Sequence, residues 1–145
     1  MAAMSDFLED ELVKHIFRTG SFTKPTVLAF ALLTTAAVDG DTGTFTSGTG
    51  VEVTNANAYA RQDRPPLDAN WTATAGGDGE TDNAAAITYP QATGSWGTVA
   101  AAAICSSTTH DSGDMYLHGT VTTSKAIDNG DTAEFATGAV TVTLA

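Results

Sequence analysis

The chain has 145 residues, with 17 Asp and Glu against 6 Lys and Arg, a formal charge of −11 and a single cysteine. Nucleic acid and anionic membrane surfaces are held by Lys and Arg, so this composition points away from both, and one cysteine cannot close an internal disulfide. The length suits one globular domain with a two-layer core and an arm, stabilised by packing and partners with no cofactor and able to fold in a reducing cytoplasm.

Met1-Ala-Ala-Met4 lacks the basic stretch of a secretory signal, and the longest apolar run, residues 26–38, is shorter than the roughly 20 residues a spanning helix needs. A short amphipathic helix is predicted over residues 6–17. Asp6 is placed to cap it with Glu9 reaching back, acids fill the first turn, and Lys14, His15 and Arg18 fall near the end. Leu8, Leu12 and Ile16 share a face with Val13 and Phe17 beside it, and Gly20 is placed to end the helix. Such a stripe must be buried on the chain's own body or on a neighbour.

After Pro25 the period becomes that of strands. TVLAFALL, residues 26–33, reads as a central strand, and the Gly/Thr tract of residues 39–50 reads as a mobile loop. Further strands are predicted over 51–54, 58–62, 71–75, 85–89, 98–105, 115–122, 132–136 and 139–144. Turn signals separate them at Arg64-Pro-Pro, Gly76–Gly79, Ala92–Gly94, Asp111–Asp114 and Asp128–Asp131. Thr and Ala are the two commonest residues, the first suited to strands and the second to closely packed layers. The expectation is an all-β domain, a β-sandwich over 25–145, with a helix and arm over 1–24 and no internal repeat.

Candidate chemistry is sparse. Cys105 precedes His110 and Asp111, the order of a nucleophile and its base, but it ends an alanine run with no Lys or Arg between Arg64 and Lys125. A reactive thiolate needs an electropositive, partly exposed setting, so Cys105 reads as a small apolar strand residue. His110 and His118 flank a predicted hairpin turn, where they could meet, yet two imidazoles and nearby acids do not make a tetrahedral metal set. DGETDN, residues 78–83, begins like a calcium loop. Asn83 stands where the loop glycine belongs and Tyr89 where its closing glutamate belongs. Asp39, Asp41, Asp128 and Asp131 read as turn formers that bond local amides, and Trp71, Trp96 and Tyr89 as core. No phosphate loop, nucleophile elbow or apolar carboxylate pair is present, so no enzyme activity and no metal are expected.

MSDFLEDEL at 4–12, SFTKPTVLAFALLT at 21–34, AYARQ at 58–62, ITYPQATGSWGTV at 87–99, and Gly130-Asp131 with Phe135 and TVTL at 141–144 together resemble small virion structural proteins of tailed bacteriophages, known as capsid decoration (cement) or tail fibre proteins. The resemblance implies a jelly-roll β-sandwich that self-associates as a homotrimer on other virion proteins. It implies a cement protein made in the host bacterial cytoplasm, sitting on the outer capsid surface and bridging units of the major capsid protein. The alternative it implies is a tail fibre or tail-tip adhesion protein. An acidic chain suits the outside of a shell better than the inside facing packaged DNA. For contact with the capsid or between subunits, the apolar anchors expected are Phe7, Leu12, Ile16 and Phe17, with Lys24, Arg61 and Arg64 as ion-pair donors.

Overall fold

The computed structural model describes residues 3–73 and 79–144. The elements are β1 (Ala3–Met4), α1 (Asp6–Phe17), β2 (Ala29–Thr35), β3 (Val51–Glu52), β4 (Gln62–Asp63), β5 (Glu80–Asp82), β6 (Ile87–Thr88), β7 (Gly97–Cys105), β8 (Met115–Ile127), β9 (Glu134–Phe135) and β10 (Thr141–Thr143), with a 3-10 turn at Phe45–Ser47. The protein is all-β apart from α1 and that turn. A central antiparallel sheet runs β1-β8-β7-β2-β3, with β4 sharing the outer edge of β2. Two ribbons, β5 with β10 and β6 with β9, complete the described strands.

β2 is central because both its faces are covered, which is why its sequence is continuously apolar rather than alternating. On one face Ala31 and Leu33 join Ala101, Ala103, Cys105 and Met115, roofed by Ala37 and Phe45. On the other, Phe30, Leu32 and Ile104 lie in a larger core with Tyr59, Tyr89 and Trp96. Side chains such as Phe30, 1 % exposed, each contribute about 1.5–3 kcal/mol by leaving water. The three aromatics lock together at edge and stacked geometries: Tyr59 meets Trp96 edge-on at 5.4 Å between centroids and lies over Tyr89 at 6.4 Å. Both tryptophans and Tyr89 take the core positions expected of them. Trp96 and Tyr89 are buried, and half-buried Trp71 stacks on Phe30 at 6.1 Å.

β8 departs from regular pairing twice. Cys105 faces Met115 and Ile104 faces Leu117, leaving Tyr116 as an extra residue. Farther along, Ala101 faces Thr120 and Val99 faces Lys125, so Val121, Thr122, Thr123 and Ser124 stand against Ala100 alone in a wide bulge.

Several local expectations change. Ser5, not Asp6, caps α1: its hydroxyl accepts from the Leu8 amide and donates to the Met115 carbonyl, and its own amide bonds the Tyr116 carbonyl. A buried hydroxyl thus serves the helix and the β8 edge at once. The helix ends at Phe17, with the Arg18 amide donating to the Lys14 carbonyl. Gly20 serves instead as a close contact, because a Cβ there would lie 2.9 Å from Lys14 Cβ.

The Gly/Thr tract is pinned rather than loose. Asp41 gathers the amides of Val38, Thr49 and Gly50, Phe45 is buried, and a Cβ on Gly43 would lie 2.6 Å from the Ser112 carbonyl oxygen. Burial acts to raise the Asp41 carboxyl, but the three amides and His118 outweigh it and hold it below its usual value.

Residues 58–62 are not a full strand. Asn57 and Ala58 take positive φ, 54° and 65°, and pairing begins only at Gln62. The predicted strand at 71–75 is represented by one bridge from Trp71 to Asn83, its end lying outside the described residues, as does most of the turn predicted at Gly76–Gly79.

Candidate functional site

The most concentrated polar chemistry surrounds Arg61, whose side chain is wholly buried. Its guanidinium bonds both carboxylate oxygens of Glu52, Nε to Oε1 at 2.8 Å and Nη2 to Oε2 at 2.7 Å. The remaining donors reach the carbonyls of Gly43, Ser107 and Ser112. Its face lies 5.8 Å from the Phe45 ring centroid. Tyr59 donates to Glu52 Oε1 and accepts from the Leu32 amide, and the Asp111 amide donates to Glu52 Oε2. Burial first, and then the Glu52 carboxylate, push the Tyr59 hydroxyl up. Burial opposes the Arg61 charge, but Glu52 outweighs it and holds the guanidinium above its usual range.

Every donor of Arg61 is therefore satisfied inside the chain. This corrects the expectation that Arg61 reaches a partner: it joins the 39–50 tract, the 107–112 turn and the edge of β2. Arg64 is also turned inward, half-buried on the carbonyls of Asp63 and Ala86.

The other sequence candidates do not converge. Cys105 is 0 % exposed on β7, and burial pushes its thiol up to about 12, far from an ionised nucleophile. The histidines go separate ways: His110 Nε2 donates to the Val53 carbonyl at 2.9 Å, and His118 Nε2 to Asp39 at 2.9 Å. Residues 80–82 of the calcium-like stretch form β5 instead, where Glu80 and Asp82 accept from Thr143 and Thr141. Buried Asn83 bonds the Val140 amide and the carbonyls of Ala85 and Ala136; Asp78 lies outside the described residues. Among the described residues no group of three or more His, Cys, Asp or Glu is placed to hold a metal ion, and no helix is long and apolar enough to cross a membrane.

The surface is most unusual at the end of α1. The first turn of the helix is fixed to the chain's own body: Phe7 and Phe22 lie 6.0 and 6.4 Å from Tyr116, and the Phe22 amide donates to His15 Nδ1, folding the arm back along the helix. Leu12 is half-buried. Past Leu12 the apolar side chains face outward, with Val13 52 %, Ile16 64 % and Phe17 78 % exposed. The expected anchors therefore divide: Phe7 and Leu12 lean on the chain itself, while Ile16 and Phe17 are free to meet something else.

A family model described as "Podophage GP4 fiber I protein gp80" matches residues 3–143. The chain belongs to this family. It is a bacteriophage structural protein, a component of the virion. No curated protein matches it. The matched span takes in α1, the central sheet and both ribbons, so the helix end and the Arg61 network lie within the region shared with the fibre I family.

Within this family member, sequence reading missed Glu52, Ser5 and Asn83, three buried polar residues. The signals were faint. Glu52 sits among valines in VEV, and Tyr59 and Arg61 alternate across two residues as inward-facing strand positions do.

Proposed function

We propose that this protein is a fibre component of a podophage-type virion, acting through protein contacts and carrying out no chemistry. One observation carries the reading: the fibre-family match spans the helix, the central sheet and both ribbons rather than one motif within them. The inward use of the polar residues supports it, since Cys105, His110 and Arg61 serve packing and loop closure rather than an open cleft. The contact surface is the outward half of α1, where Ile16 and Phe17 are exposed beside Arg18 and Lys24. Its partners are other virion proteins and further copies of itself, a homotrimer on the resemblance above. The acidic body leaves nucleic acid and membrane outside that set.

A second reading, an outer-capsid decoration protein bridging the major capsid protein, is favoured by charge. A chain at −11 with no shaft repeat fits a compact piece on the outside of a shell. Gold-labelled antibody on intact virions separates the two. Label at the tail supports the fibre; label spread over the head moves the protein to the capsid; no label on purified virions removes both.

A further inference from the structure

Segment 12–24 carries Lys14, Arg18 and Lys24 and no acid, in a chain that is otherwise strongly acidic. Lys14 pairs with Glu11 at 3.0 Å, while Arg18 and Lys24 make no side-chain hydrogen bond or ion pair among the described residues. Two cations left without a carboxylate, in a molecule with 17 acids, stand next to three outward apolar side chains. Such a surface complements a groove that is apolar inside and acidic at its rim.

The same chain contains one. A cavity of about 510 Å³ opens between the start of β2, the 66–73 segment and β10. Leu28, Leu67, Trp71, Ile104, Leu117 and Val142 supply its apolar walls, and among the described residues Asp68 is its single charged lining residue. Asp68 is exposed and makes no side-chain hydrogen bond or ion pair among the described residues, and Leu67 beside it is 58 % exposed. The volume accommodates a phenylalanine side chain.

We propose that the groove receives the helix end of a second copy, with Phe17 seated against Leu67 and Trp71 and Arg18 paired with Asp68. This rests on reading the outward half of α1 as the contact surface, and it names the neighbour. Each copy offers a helix end and a groove, two different patches, so two copies exchange both contacts in a two-fold dimer or pass them head to tail into a ring where the rotation permits. Bodies of like charge repel elsewhere, and this contact is the place where opposite charges meet.

Sedimentation equilibrium on the full chain, at low and at physiological salt, tests the contact. Wild type should associate at both salt concentrations, since salt screens the repulsion between the acidic bodies as well as the Arg18–Asp68 pair. Phe17→Ser, Arg18→Asp and Asp68→Arg should each raise the self-dissociation constant about tenfold or more, as truncated anchors and reversed charges do. The chain carrying both Arg18→Asp and Asp68→Arg should recover. All three side chains are exposed, and circular dichroism checks that each variant stays folded. A monomeric wild type, or a charge swap that fails to restore association, overturns the proposal. So does loss of association in Phe17→Ser with none in Asp68→Arg, which sends the helix end to another surface. Retention of a monomeric wild type on anionic lipid vesicles, lost in Phe17→Ser, assigns the helix end to lipid instead. Virion labelling fails or succeeds independently, so a self-associating protein missing from virions sinks the fibre reading and leaves this one standing.

Discussion

Replacing Arg61 with Met keeps much of the side-chain volume and removes the guanidinium, leaving the Glu52 carboxylate in a site that is only 2 % exposed. Removing one partner of a buried ion pair costs about 3–5 kcal/mol, because the remaining charge stays desolvated with only the Tyr59 hydroxyl and the Asp111 amide still bonded to it. The carbonyls of Gly43, Ser107 and Ser112 lose their donor as well. The two serines lie in a half-buried turn that water can reach, so their contribution is small, and a total of about 4 kcal/mol is expected. With a urea slope of about 2 kcal/mol per M for a domain of this size, the unfolding midpoint should fall by about 2 M. Single domains are stable by only about 5–15 kcal/mol, so the variant sits near its threshold. Arg61→Lys, which keeps the charge but not the fork, should fall between the two. Adding Glu52→Gln to Arg61→Met should recover part of the loss by neutralising the stranded carboxylate. A midpoint within about 0.5 M of wild type for Arg61→Met would refute the reasoning, since it would mean that Glu52 is reached by water and the network holds little together.

Ser5→Ala removes the helix cap and the bond to Met115, and should lower stability by about 0.5–2 kcal/mol in urea unfolding. Gly43→Ala drives a Cβ against backbone oxygen and should cost about 1–3 kcal/mol, with amide exchange rising in the 107–113 turn as the check. Cys105 should resist a thiol reagent in native protein and react fully in denaturant, and Cys105→Ala should change stability by less than about 1.5 kcal/mol. The Asp41 carboxyl is depressed in the folded state, so its stabilisation is present above its ordinary value of 3.8 and is lost as pH falls below that. Acid unfolding followed by tryptophan fluorescence should therefore shift less with pH in Asp41→Asn than in wild type.

What the sequence revealed depended on periodicity and punctuation. The helix span, the central apolar strand, the long β7 strand and the turn where Asp131 accepts the Asp128 amide were legible because each is dictated locally. The Gly/Thr tract misled for the opposite reason: its composition looks loose, but Asp41 and Phe45 tie it down through contacts with residues far along the chain. Arg61 misled in the same way, because whether a cation points out or in depends on Glu52 and on carbonyls up to 51 residues away. The divided helix was half legible: its amphipathic stripe was plain, but that the stripe is covered only at its first turns depends on Tyr116, which an irregularity in β8 places beneath Phe7.

That same strand has a bearing on how a virion component behaves before it is built in. Beyond Leu117 and His118, where β1 pairs, β8 has no neighbour on its outer side among the described residues. A straight strand in that position would template backbone pairing with any passing chain, and copies would stack without limit or register. The four residues crowded opposite Ala100, with Lys125 immediately after them, break the even spacing such stacking needs. The bulge therefore disfavours backbone pairing between copies along this edge.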